Sequence, residues 1–404
     1  MRALLVRLHR WFGLTAAVFL FVAGATGAVI SWDHELDGWL NPELFDASGT
    51  GQPLPVGELV RRAEATDARA WVRYHPLAVE PGHTFLVFME PRVDPSTGQP
   101  HALDYNQVAL DPVTGQVQAR RLWGAISLSR ENLLPFLYKL HYSMHLPERG
   151  GIEWGVWLMG LIAVAWVLDT VIALWISFPK LPQWRRSFAF RWTAGGHRWV
   201  FDLHRSGGVW LFALVLLLAV TSVAMNLNTQ VMRPVVSWFS TLSPSPFASR
   251  TPVAPAQAPE PAVDRWAVVA QAEREAQRRG WTDPAGAVFL AKDYGVWGVG
   301  FFQPGLDHGD GGLGNPWLYF DSQTGAPAGA DIPGTGTAGD IFLQSMFPLH
   351  SGRILGLGGR VLISLMGVAV AMFSVTGVLL WARKRRARRL AGQRVGATAL
   401  ASRP

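Results

Sequence analysis

The sequence predicts a membrane protein, mainly α, with four transmembrane helices in two repeated halves and an extracytoplasmic α+β domain in each half. Three observations predict it. The 404 residues are 49% hydrophobic and only 16% charged, with 19 tryptophans, a composition too apolar for an ordinary soluble protein. Four stretches, 11–32, 154–178, 206–230 and 361–382, approach the roughly 20 residues needed to cross a bilayer core and carry at most one charge each. The tripeptide LHR occurs at 8–10 and again at 203–205, each time at the threshold of an apolar run, as a duplication would write it.

The elements follow in order. Residues 1–32 form the first helix, preceded by Arg2, Arg7 and Arg10. A cleaved signal peptide is the competing reading, given small residues at 23–28, but the apolar run exceeds a typical signal core and its LHR motif recurs at an internal helix, which favours a retained anchor. Residues 33–153 form the first outward domain. Within it GELVRRAEA reads as a helix, and HTFLVFME and YNQVALDPVTGQVQAR as strands with a turn at 111–115. The second helix occupies 154–178, a cytoplasmic loop 179–205, and the third helix 206–230. Residues 231–360 hold a Pro-rich linker, 243–261, then the second domain: RWAVVAQAEREAQRRG as a helix, AVFLAKD, WGVGFFQP and PWLYFDSQTGAP as strands, with a turn at 321–325. The fourth helix spans 361–382, and 383–404 is a basic tail.

Lysine and arginine placement sets the expected orientation. Arg2, Arg7 and Arg10 precede the first helix. Lys180, Arg185, Arg186, Arg191, Arg198 and Arg205 lie between the second and third, and Arg383, Lys384, Arg385, Arg386, Arg388 and Arg389 follow the fourth. All three clusters belong on the cytoplasmic side, so both large domains face outward. The net charge of +7 is thereby explained without a nucleic-acid partner. Tryptophans near helix ends, such as Trp11, Trp32, Trp154, Trp175 and Trp381, fit an interfacial belt. The chain has no cysteine, which excludes disulfides, thiolate-held iron–sulfur clusters and covalent haem attachment. A metal or cofactor must be held by histidine, methionine or oxygen, and there are 11 histidines.

The repeat extends beyond LHR. His9 stands 17 residues before Thr26, and His204 stands 17 before Thr221. YKLHYSMH, ending at His145, aligns with LQSMFPLH, ending at His350, and DTVIALW, ending at Trp175, aligns with VTGVLLW, ending at Trp381; the two intervals are 30 and 31 residues.

The motifs LHRWFG, LHYSMHL, DLHRSGG, PLHSG and DPVTGQV resemble the PepSY-associated transmembrane family, over nearly the whole chain from residue 8 to about residue 386. Within that family the chain is similar to bacterial inner-membrane reductases of ferric siderophores. The resemblance implies a four-helix inner-membrane protein with PepSY-like outer domains and non-covalent haem b, two per chain. It also implies an oxidoreductase that passes electrons to a periplasmic ferric siderophore.

Histidine chemistry suits that expectation independently. An ionisable residue at a membrane helix is a functional hypothesis by default, and neutral imidazole is a common axial ligand of haem iron. His9 and His204 hold equivalent places at the cytoplasmic edge, where a pseudo-twofold axis would face them across one iron. Gly13 and Gly208 lie one turn further on the same faces and leave room for a flat macrocycle. Two readings of Arg10 and Arg205 stay open: pairing with haem propionates, or anchoring the helices among headgroups. At the outer face the expected pair is His145 and His350. His141, four residues before His145 and opposite Met346 in the repeat, is the alternative outer ligand.

Asp169, the one acid inside a span, aligns with Val375; a proton path, a quinol contact and a structural hydrogen bond are all open to it. Thr26, Thr170, Thr221 and Thr376 recur at matching depths and read as helix-packing residues. GDGGLG at 309–314 satisfies G-x-G-x-x-G but lacks the following helix, so it reads as a loop. His75, His83, His101 and His308 lack metal-ligand spacing, and His34 and His197 are reserve ligands. No flavin or nicotinamide site is legible, so the donor is expected to be a membrane quinol or a separate cytoplasmic reductase. Two rival functions remain: a haem-free transport or sensory protein, and a di-haem reductase of a copper complex or quinone.

Overall fold

The structure is a computed structural model that describes residues 1–193, 195–307 and 311–401. His308, with Gly309 and Asp310 of the expected glycine-rich loop, lies outside the described residues. Among the described residues three helical stretches are long and apolar enough to cross a membrane: Arg2–Ile30, Trp154–Ser177 and Arg353–Ala391. Gly196–Trp210 and Phe212–Asn226 add a further candidate span if they count as one, although they meet at 72°. The chain is therefore a membrane protein with three such helices or four.

Helix α1 (Arg2–Ile30) begins nine residues before the apolar stretch, so His9 lies within the helix. Helix α2 (Val56–Ala65) and strands β1 (Ala70–Pro76), β2 (Phe85–Pro91), β3 (Gln107–Leu110) and β4 (Val117–Arg121) form the first α+β module. Helix α3 (Leu133–Ser143) leads back towards α4 (Trp154–Ser177). Helices α5 (Gly196–Trp210) and α6 (Phe212–Asn226) flank the bend. The bend follows Ser206-Gly207-Gly208, a local sequence of the kind that kinks helices. Helix α7 (Arg265–Arg278) and strands β5 (Ala285–Ala291), β6 (Val296–Phe301), β7 (Trp317–Asp321) and β8 (Pro327–Asp331) form the second module. Helices α8 (Ala338–Ser351) and α9 (Gly356–Ala401) complete the chain.

The two α+β modules are joined. One antiparallel sheet of eight strands runs β8-β7-β6-β5-β1-β2-β3-β4, and its seam is β1 against β5, with Tyr74 opposite Phe289, His75 opposite Val288 and Pro76 opposite Ala287. Each half keeps its own apolar core: Leu59, Ala63, Phe85, Val87 and Leu110 under α2, and Val268, Ala272, Leu290, Trp297 and Phe301 under α7. The expected turns form as asparagine-type loops: the Asp111 carboxylate accepts from the Val113 and Thr114 amides, and Asp321 from those of Gln323 and Thr324. The Pro-rich stretch is a packed strap along the sheet, because Phe247 rests against Tyr294 and Tyr319 and Arg250 bonds Asp321 at 2.8 Å.

Polar ties lock the sheet to the helices. Arg121 on β4 pairs with the buried Asp37 at 2.7 Å, in the short helix Asp33–Leu40 that follows α1. Losing one partner of such a buried pair costs about 3–5 kcal/mol, because the other charge stays buried alone. Arg360 on α9 donates to both oxygens of Glu35 at 2.7 Å and to the Ser31 carbonyl. Within the bundle, α1 and α9 touch backbone to backbone. A Cβ at Gly24 would lie 2.6 Å from the Gly367 carbonyl oxygen, and one at Gly367 would lie 2.5 Å from that of Gly24. Close approach through small residues is how apolar helices associate in lipid.

Candidate functional site

Four histidines meet in two pairs. His9 on α1 faces His204 on α5, with ring centroids 6.2 Å apart. His141 on α3 faces His350 on α8 at 6.0 Å. The first pair lies at the basic end of the bundle and the second at the sheet end. His141 packs against Ala23 of α1, 14 residues beyond His9, so the pairs are separated by about 21 Å along that helix at 1.5 Å per residue.

Each ring is held through Nδ1. That of His9 lies 2.9 and 3.0 Å from the two carboxyl oxygens of Asp169 on α4. That of His204 lies 3.0 Å from Thr376 Oγ1 on α9. His141 Nδ1 donates to the Ala23 carbonyl at 2.9 Å, with Thr26 Oγ1 at 3.2 Å, and His350 Nδ1 lies 3.0 Å from Thr221 Oγ1. With Nδ1 engaged, Nε2 is the remaining ligand atom of each ring. Two glycines make room for these rings: a Cβ at Gly27 would lie 2.9 Å from His141 Cε1, and one at Gly377 would lie 3.2 Å from His204 Cε1.

A cavity of about 1040 Å³ opens around the basic-end pair. His9, His204, Gly13, Gly208, Arg10 and Arg205 all line it. A Cβ added at Gly13 or Gly208 would meet nothing within 4 Å, so both glycines border open space. The Nε atoms of Arg10 and Arg205 are buried without a hydrogen-bond partner. An unpaired buried donor is costly, and both side chains belong to the lining of the one cavity. Arg10 lies over the Trp11 ring and Arg205 over that of Phe201. Lys384, Arg385, Arg388 and Arg389 line the same cavity from one face of α9, and the reserve ligand His197 is on its wall.

His145 does not join a pair. Helix α3 ends at Ser143, and Met144 and His145 both adopt left-handed backbone (φ 51° and 53°), which turns the chain away one turn after His141. The His145 ring stacks on Phe136 at 4.6 Å and bonds its carbonyl through Nε2 at 2.8 Å. The structure therefore brings His141, not His145, to His350. Both members of this pair occupy the last turn of their helices, so KLH of α3 is placed like PLH of α8, four residues from the alignment expected to end at His145.

The family model for the PepSY-associated TM region matches residues 6–384. The chain belongs to this family. No curated protein matches it at a significant level. The four paired histidines of this PepSY-associated protein all fall inside the matched region. The remaining histidines serve elsewhere: His75 is buried between Phe85 and Trp266 in the sheet, His83 contacts the Pro81 carbonyl, His101 lies 4.0 Å from Asp94, and His34 packs on Phe45. Among the described residues no group of three or more His, Asp or Glu gathers as a metal site.

Sequence reasoning named the supporting polar residues, the threonines as packing residues and Asp169 with a structural hydrogen bond open to it, but missed that their partners are the histidines. Thr26, Thr221 and Thr376 each face a histidine as well as bonding the carbonyl one turn back. Asp169 supports His9, while its neighbour Thr170 bonds the Trp166 carbonyl alone. A signal was present in the recurring Thr-Gly pairs at 26–27 and 376–377, where threonine orients one imidazole edge and glycine clears another.

Proposed function

We propose that the chain is a di-haem b-type inner-membrane reductase that carries electrons outward to a periplasmic ferric siderophore and releases ferrous iron. In this reading α5 and α6 form one bent span, so two repeated halves contribute four spans, and the basic loop, both termini and the basic tail lie in the cytoplasm.

The observation that carries the reading is the pair of facing imidazoles at each end of the bundle. Two metal–nitrogen bonds of about 2 Å, plus two ring radii, put the centroids of opposed imidazoles about 6 Å apart; the observed spacings are 6.2 and 6.0 Å. The basic-end cavity suits a flat dianionic macrocycle, with glycine where the plane needs space and unpaired arginine donors for propionates. A haem bound at each pair supplies a one-electron couple.

The protein's own residues do the rest. His9 and His204 hold the cytoplasmic site, and His141 and His350 the outer one. Asp169, Thr376, Thr26 and Thr221 fix the imidazole tautomers so that Nε2 faces the metal. Arg10 and Arg205 neutralise carboxylates, and apolar walls such as Trp166, Phe212 and Phe373 exclude water. Ferric siderophore is reduced by one electron per iron, and the ferrous ion is held more weakly by hard oxygen chelators. That chemistry needs no acid, base or nucleophile from the chain. The donor is a quinol reaching the cavity from the lipid or a cytoplasmic reductase docking at the basic end.

The test is stopped-flow oxidation of the pre-reduced protein by a ferric siderophore, with the ferrous product trapped by a chromogenic chelator. Reoxidation with one ferrous ion per electron is expected, and His141→Ala should slow it at least tenfold. A reduced protein that stays reduced in the presence of ferric chelates would overturn the assignment of the acceptor.

A further inference from the structure

The polar supports of the four rings are alike except at one position. Three rings are supported by neutral oxygen: Thr376 for His204, Thr221 for His350, and Thr26 with the Ala23 carbonyl for His141. Only His9 is supported by an acid. Asp169 is 8% exposed, approaches His9 Nδ1 with both oxygens at 2.9–3.0 Å, and has no lysine or arginine partner among the described residues. In the repeat its place is taken by Val375, so nothing in the symmetry of the fold demands an acid there.

We propose that Asp169 is a positioning residue that makes the His9–His204 site the lower-potential of the two, so that the potential falls in favour of electron flow from the basic end towards the sheet end. This rests on the di-haem reading above. A carboxylate accepting from the far nitrogen of an imidazole raises the basicity of the ligand and places negative charge behind it. Both effects stabilise the oxidised metal over the reduced one, and hydrogen bonding around the ligands is an established lever on haem potential. The other three imidazoles lack that charge. The asymmetry gives a direction to a scaffold that is otherwise nearly two-fold.

The experiment is an optical redox titration of the purified, haem-loaded full chain. The wild type should titrate in two components, and His204→Ala should remove the lower one. Asp169→Asn should raise the lower midpoint by about 60 mV or more, a tenfold change for a one-electron couple, while the higher midpoint and the content of two haems per chain stay fixed. Asp169→Glu, which keeps the carboxylate, should stay near the wild-type value; if the Asn variant does not hold haem, this variant decides the matter, since a midpoint raised as far as expected for a neutral residue would overturn the proposal. Asp169→Asn that keeps both haems and both midpoints would overturn it as well, as would loss of the higher component in His204→Ala. Failure of the underlying reading is seen separately and earlier, as wild-type protein without haem absorbance.

Discussion

Replacing Gly27 with alanine tests the sheet-end pair through a single methyl group. The added Cβ would lie 2.9 Å from His141 Cε1, whereas carbon atoms rest about 3.5–4.0 Å apart, so the ring must retreat by about 0.6 Å. Its Nδ1 lies 2.9 Å from the Ala23 carbonyl oxygen and 3.2 Å from Thr26 Oγ1. A shift of that size away from both partners carries the contacts to about 3.5 and about 3.8 Å, at or beyond the limit of a useful hydrogen bond. Lost support of this kind lowers metal affinity by about 10–100-fold. Alanine is the better helix former by about 1 kcal/mol, so a loss of haem would not reflect a weakened α1. The assay is haem titration of the apoprotein, read by absorbance at each site. Gly377→Ala, with a Cβ 3.2 Å from His204 Cε1, should weaken the basic-end site by less, while Gly13→Ala and Gly208→Ala, which put a methyl into the cavity proposed for the macrocycle, should weaken the basic-end site and leave the sheet-end site intact. Wild-type affinity at the sheet-end site in Gly27→Ala, or a loss at that same site in Gly13→Ala, would refute the reasoning.

Two further outcomes are expected. His141→Ala should abolish the haem signal of the sheet-end site while His145→Ala retains it, as judged by difference spectra; the reverse result would return His145 to the ligand set. Burial pushes the His75 imidazole down to about 3, partly offset by its bond to the Pro76 carbonyl and reinforced by the nearby charge of Arg265. The unfolded chain protonates first as pH falls, so the stability contribution is complete above about pH 6.5 and is lost between there and about pH 3, by up to about 1.4 kcal/mol per pH unit. Thermal unfolding against pH should show this slope, and His75→Phe should flatten it; identical slopes would contradict the assignment.

Much of this was legible because it was local or duplicated. LHR before two apolar runs identified His9 and His204 as partners, and glycine four residues on marked the space beside them. The outer pair was harder. His145 and His350 both end a histidine-containing segment, and a similar spacing to Trp175 and Trp381 favoured that register. The left-handed turn at Met144 and His145, which no glycine announces, takes His145 away and leaves His141 facing His350. The seam between β1 and β5 joins residues more than 200 positions apart and carries no local signal, so the two modules read as separate. Asp169 was singled out, with a structural hydrogen bond among its readings, but its partner His9 escaped because it lies 160 residues away and the aligned position, Val375, offers no second acid to compare.

The two-haem reading is tested most directly by a dithionite-reduced minus oxidised absorbance spectrum of the detergent-purified protein, with haem quantified per chain. Sharp b-type bands at about two haems per chain are expected, the number that two bis-histidine sites hold. A colourless protein from haem-replete cells would contradict it.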